Sequence, residues 1–125
     1  MYGYVKKLYQ AMIGLLLLCL LSSCGTREKQ EITIERGDCI IAAIKSHYVA
    51  NNKYPQSLDQ LVPNYIERID EPLVGRRKWV YALYEDRDLF NLGVEPVEEY
   101  SILRPSLNIS MWYSSKKGRW SVDTH

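Results

Sequence analysis

The feature that most restricts this 125-residue chain is an apolar stretch at residues 11–21, AMIGLLLLCLL, set behind Lys6 and Lys7. Positive charge followed by a short apolar run is the pattern of a secretory leader, whose basic end stays cytoplasmic while the run enters the membrane. Its eleven residues fall well short of the roughly 20 that a helix needs to cross the hydrocarbon core, so a permanent span is not expected. The run closes on Leu21-Ser22-Ser23-Cys24, and whatever folds independently lies after it.

That tetrapeptide resembles the lipobox of bacterial lipoproteins at all four positions, and it stands where a lipobox stands. The resemblance implies that the Cys24 sulfur takes a thioether-linked diacylglycerol, that the chain is cut just before Cys24, and that residues 1–23 are discarded. The plain alternative is an ordinary leader cut nearby, with Cys24 unmodified. Each buried methylene contributes about 0.8 kcal/mol and one acyl chain holds only reversibly, so two or three chains on Cys24 give stable attachment. Residue 25 is Gly and not Asp, similar to lipoproteins sent to the outer membrane, where the body would face the periplasm.

Removing residues 1–23 leaves 102, enough for one modest core. The leader takes two lysines with it, so 16 basic and 15 acidic residues become 14 and 15, a balance of −1. Nucleic-acid binding requires a basic excess or stripe and is set aside. Cys19 leaves with the leader and Cys24 is consumed by lipid, so Cys39 has no intrachain partner and no internal disulfide is expected. In an oxidising compartment such a thiol is either shielded or available between chains. Along a helix Cys39 and His47 would stand about 12 Å apart, too far to share a metal, and no metal or cofactor is expected.

Residues 24–30 read as the lipidated terminus and a short polar tether, reaching roughly 20 Å when extended. The domain is then residues 31–125. Ile34, Ile41, Ile44 and Tyr48, with Ile40 beside them, recur at seven, three and four, one face of a helix over residues 31–51. Gly37 is expected to interrupt that helix, at about 1 kcal/mol relative to alanine, with Asp38 as a fresh N-cap; Ile32 and Ile34 then admit an extended segment instead. On a single unbroken helix, Ile32 and Cys39 point away from the main stripe. Either the helix bends or a loop wraps that face, or it meets another protein with Cys39 near the contact.

Asn52 and Pro55 end the helix, and a short helical corner follows. Ser57 and Gln60 stand at the spacing for reciprocal capping, and Leu58, Leu61 and Val62 supply the corner's buried side. Ala42-Ala43-Ile44, Tyr48, Asn52 and the run YPQSLDQLVPNY at 54–65 resemble the globular domain of type II secretion pseudopilins of the major, G-like kind. The resemblance implies a pilin-like α+β fold. It does not extend to the prepilin cleavage site or the long apolar helix that packs a filament core, so it implies the fold and not filament assembly. The family also holds calcium through C-terminal loop carboxylates; of these only Asp123 is found in the last segment, short of the six to eight oxygens calcium takes.

The remainder reads as antiparallel strands. Residues 79–84 and 89–94 form a hairpin across Glu85-Asp86-Arg87-Asp88; 100–103, 107–113 and 120–122 complete four or five strands. Glu85, Asp86 and Asp88, like Glu98-Glu99, read as solvated loop charges rather than paired acid-base carboxylates. Arg76-Arg77-Lys78 is an exposed lead-in, with contact to anionic headgroups the alternative. The histidines are His47 and His125, and no nucleophile-base motif is recognisable, so no catalytic residue is assigned. Trp112, opposite the apolar face of its strand, is the second candidate contact residue beside Cys39; its alternative is cover by Arg104 or a loop. The expectation is an α+β domain held at a membrane through Cys24. Its role would be non-catalytic contact with an envelope protein, accessory to secretion or pilus-type machinery, or alternatively inhibition of a periplasmic enzyme or toxin.

Overall fold

Gly37 does not break the helix. The computed structural model describes residues 2–98 and 102–125, with the side chains of residues 2 and 17–24 outside that description, and in it a single α-helix, α1, spans Tyr2–Asn51. The absence of a side chain at residue 37 serves packing rather than interruption: an added Cβ would come within 2.6 Å of Trp120 Cη2 and 3.1 Å of Trp79 Cη2. Asp38 caps nothing, and accepts a hydrogen bond from Trp120 Nε1 at 2.8 Å instead. Ile32 and Ile34 are therefore helical, and residues 25–30, read as a tether, are helical too. Arg27 and Glu31 pair across one turn at 3.0 Å, and Thr33 Oγ1 donates to the Lys29 carbonyl at 2.7 Å. Among the described residues no helix is long and apolar enough to cross a membrane.

The buried face of α1 is the expected one: Ile40, Ile41, Ala43 and Ile44 are each 5% exposed or less. The helix ends at Asn51 because Asn52 adopts φ +56 and donates its N–H to the Tyr48 carbonyl at 2.7 Å, a left-handed stop that Asn tolerates. The corner is a 3-10 turn, Leu58–Leu61, and its capping differs from the expected box. Gln60 Oε1 accepts from the Gln56 N–H at 2.9 Å, the Ser57 side chain makes no cap bond, and Val62 is 39% exposed; Leu61 alone is fully buried. Tighter 3-10 winding rotates Val62 out of the face an α-helix would give it.

Four antiparallel strands follow as a simple meander, β1 (Val80–Tyr84), β2 (Leu89–Val94), β3 (Ile109–Ser114) and β4 (Arg119–Thr124). Tyr100, in the fifth expected strand, lies outside the described residues, while Ile102 and Leu103 occupy an exposed bend. Pro105–Asn108 is a 3-10 turn, so β3 starts two residues later than the alternation suggests. In register, Tyr81 faces Leu92 and Leu92 faces Tyr113; one row lower, Leu83 faces Phe90. All of these side chains lie on the side covered by α1. The architecture is thus α+β, one helical layer on one sheet.

Aromatic rings link the two layers. Phe90, fully buried, meets Tyr54 edge-on at 5.0 Å and Tyr113 at 6.0 Å; Tyr113 meets Trp120 at 5.6 Å, and Trp120 meets Trp79 at 6.3 Å. Offset and edge contacts of this kind contribute about 0.5–1.5 kcal/mol each beyond area burial. The 66–79 segment is drawn onto the core by Val74 and Pro72, both fully buried, and by the Leu73 N–H donating to Thr33 Oγ1 at 3.0 Å.

Two outcomes follow. Replacing Gly37 with Ala destabilises the fold by about 1–3 kcal/mol in urea unfolding, because overpacking against Trp120 outweighs alanine's roughly 1 kcal/mol advantage in a helix. Burial pushes the Tyr81 phenol, which donates to the Pro55 carbonyl at 2.8 Å, up to about 12. A phenol that titrates near 10 once unfolded then contributes stability present below about pH 10 and lost as pH rises towards 12. Tyr81→Phe flattens that alkaline slope, measured by urea midpoints across the window.

Candidate functional site

Cys24 belongs to α1, immediately before Gly25, and its side chain lies outside the described residues. Beside it opens a groove of about 510 Å³ that runs from Gly25, Thr26 and Lys29 on α1 to Leu73 and Arg77, then to the 103–107 turn. Arg77 reaches it from a backbone with φ +57. Its neighbour Arg76 is turned to Glu95 at 3.5 Å, Glu98 at 3.1 Å and the Pro96 carbonyl at 3.0 Å. The basic run therefore divides: Arg76 closes a loop, and Arg77 lines the groove.

Cys39 is exposed, and lines a second groove of about 280 Å³ with Ile32, Arg36, Ile66, Arg68 and Asp70. Of the two explanations for this second helix face, the wrapping loop is present: Arg36 Nη1 donates to the Glu71 carbonyl at 2.6 Å, holding the 66–71 segment over Ile40. The loop leaves the thiol at the lip of the groove.

Trp112 stands on the opposite side of the molecule, so no single site joins it to Cys39. It is half-buried, lying over its cross-strand partner Gly93, where an added Cβ would overlap the indole ring. Its own sheet thus supplies cover for Trp112, since a glycine opposite an aromatic lets the ring lie flat.

At the far end of α1 the acidic hairpin turn is partly engaged. Tyr48 donates to Asp88 Oδ2 at 2.7 Å, and Gln56 Nε2 donates to Glu85 Oε1. The bond to Asp88, and that carboxylate's charge, hold the Tyr48 phenol above its ordinary value. These contacts tie the β1–β2 turn to the helix end and to the corner. Among the described residues, no three His, Cys, Asp or Glu side chains converge as a metal set would.

His47 is buried, with Nδ1 3.0 Å from the Lys53 carbonyl and its ring 5.2 Å from Tyr65, so it braces the helix stop. One juxtaposition escaped the sequence: Ser110 Oγ and His125 Nε2 lie 3.0 Å apart, a serine beside an imidazole. The register Ser110↔Asp123 of the β3–β4 hairpin is the signal that places His125 there. Ser110 is only 5% exposed, and the His125 N–H donates to the Asn108 carbonyl at 3.0 Å, so the pair holds His125 against the start of β3.

Comparisons with protein-family models, curated proteins and solved structures return no match to this chain. The position of Cys39 has a direct consequence. The thiol reacts to completion with maleimide in the native protein without denaturant; labelling only after unfolding would contradict its place at the groove's lip.

Proposed function

We propose that this chain is a lipid-anchored envelope protein with a pilin-like body, acting without catalysis through contact with another protein and accessory to a secretion or pilus-type machinery. The observation that carries this reading is Leu21-Ser22-Ser23-Cys24 at the end of an eleven-residue apolar run behind two lysines. In this reading residues 1–23 are removed, the helix that remains begins at an acylated residue, and the body is held against the periplasmic face of the outer membrane. A helix followed by a short corner and a four-stranded antiparallel sheet supports the pilin-like description of the body.

Two surfaces are available for the protein contact, the Cys39 groove and the sheet face that carries Trp112. The first is favoured, because its apolar floor of Ile32 and Ile66 is edged by Arg36, Arg68 and Asp70, the apolar-centre and polar-rim composition of an interface.

Mass spectrometry of the mature polypeptide returns an N-terminus at Cys24 carrying two or three acyl chains; an unmodified Cys24 or a retained leader overturns the anchor. Affinity capture from envelope membranes then recovers secretion-apparatus components, and maleimide labelling of Cys39 in intact cells rises when those components are deleted. Capture of a soluble toxin or hydrolase in their place would move the protein to the inhibitor class.

A further inference from the structure

We propose that the groove beside Cys24 is a docking surface for anionic phospholipid headgroups, and that Leu103 enters the bilayer next to it. The inference deepens the proposed anchoring by giving the domain a defined face towards the membrane. Among the described residues that line the groove, Lys29 and Arg77 are basic, as is Arg104, and none is acidic. The neighbouring carboxylates of Glu95 and Glu98 are held by Arg76 and leave Lys29 and Arg77 to the groove. Beside these cations stand two large apolar side chains almost wholly in solvent, Leu103 at 95% and Ile102 at 82% exposed. Neither has a packing reason to be there, and an apolar tip flanked by cations matches an interface whose outer layer is anionic and whose interior is hydrocarbon.

Position supplies the second argument. Gly25 is the residue after Cys24, and Lys29 is five residues from Cys24, about 7.5 Å along a helix rising about 1.5 Å per residue. Attraction to an anionic leaflet decays over a Debye length of about 8 Å, so a domain tethered at Cys24 brings the groove within range of headgroup charge. The opposite pole, with the engaged acidic turn, would face away. A protein partner would have to compete for this face with the bilayer to which the chain is already attached, which is why the lipid surface is chosen as occupant.

The test is photo-crosslinking of the full chain with p-benzoylphenylalanine in place of Leu103, and separately in place of the exposed Lys116, as produced in cells and reconstituted into vesicles. The vesicles are phosphatidylethanolamine with about a quarter phosphatidylglycerol. The expected result is phospholipid adducts at position 103 and few or none at position 116. Lys29→Gln combined with Arg77→Gln reduces the adduct yield at 103, since two charges lost at about 1 kcal/mol each weaken docking about 30-fold. Thermal melting of the double variant, unchanged from the parent, separates lost docking from lost folding.

If Cys24 is acylated in the same spectra but yields at 103 and 116 are equal, the docking surface is overturned and the anchor stands. The same holds if adducts at 103 in native envelope membranes are confined to a polypeptide. If Cys24 is unmodified and phospholipid adducts still form at 103, the anchor falls and the surface survives.

Discussion

The structure depends on the close approach of Trp120 to a helix backbone that carries no side chain at residue 37. That approach sets the distance between the layers, because the indole lies where a Cβ would be, and its N–H reaches Asp38 one residue further on. Trp79 packs against the same glycine from the segment that leads into β1, and donates its own N–H to the Asp70 carbonyl at 2.8 Å. A tryptophan of edge strand β4 and one at the entry to edge strand β1 thus meet across one helical position, and the 66–79 loop is tied to that junction. The hydrogen bonds orient the rings, and at these solvent-reached positions each contributes about 0.5–1.5 kcal/mol at most.

From this junction the molecule acquires two distinct ends. Towards the C-terminal end of α1 the β1–β2 turn is gathered by Tyr48 and Gln56, and Ser115 links the next turn to Phe90 through its hydroxyl at 2.9 Å and its N–H at 3.1 Å. Towards Gly25 the loops are joined instead by Thr33, Arg76 and the backbone of Gly75, which donates to the Ser106 carbonyl at 2.9 Å. An α-helix lying over an antiparallel meander makes this polarity unavoidable, since every turn falls at one end or the other. The Gly25 end therefore shares its pole with the 102–108 turn, while the tight hairpins gather at the other.

Much of this was legible in the sequence wherever periodicity and burial agree. The stripe through Ile41, Ile44 and Tyr48, the stop at Asn52, and the alternation of Phe90, Leu92 and Val94 each reflect one face packed on one core. Gly37 was misread because helix propensity treats glycine as a local cost, whereas its reason lies 83 residues away in Trp120. Thr33 escaped for a similar cause: a threonine at 0% exposure is explained only when the Lys29 carbonyl and the Leu73 N–H are both seen to use its hydroxyl. Trp112 lies off the core face as its strand's alternation indicates, but its half-burial involves the cross-strand neighbour Gly93, and the pattern of one strand does not name the residue opposite it.

The same geometry weighs against reading activity from proximity. Ser110 and His125 come together because Ser110 faces Asp123 near the open end of the hairpin and His125, two residues on, lies diagonally across on the same face; their bond satisfies two polar groups beside Asn108. A nucleophile needs access and donors for the developing charge as well as a base, so a serine only 5% exposed, beside an imidazole, does not by itself make a site. The exposed chemistry is of another kind: a thiol at the edge of an apolar groove, and cations beside protruding leucine and isoleucine. These groups suit contact with surfaces, and the rigid helix-sheet junction between them keeps one surface fixed relative to the other.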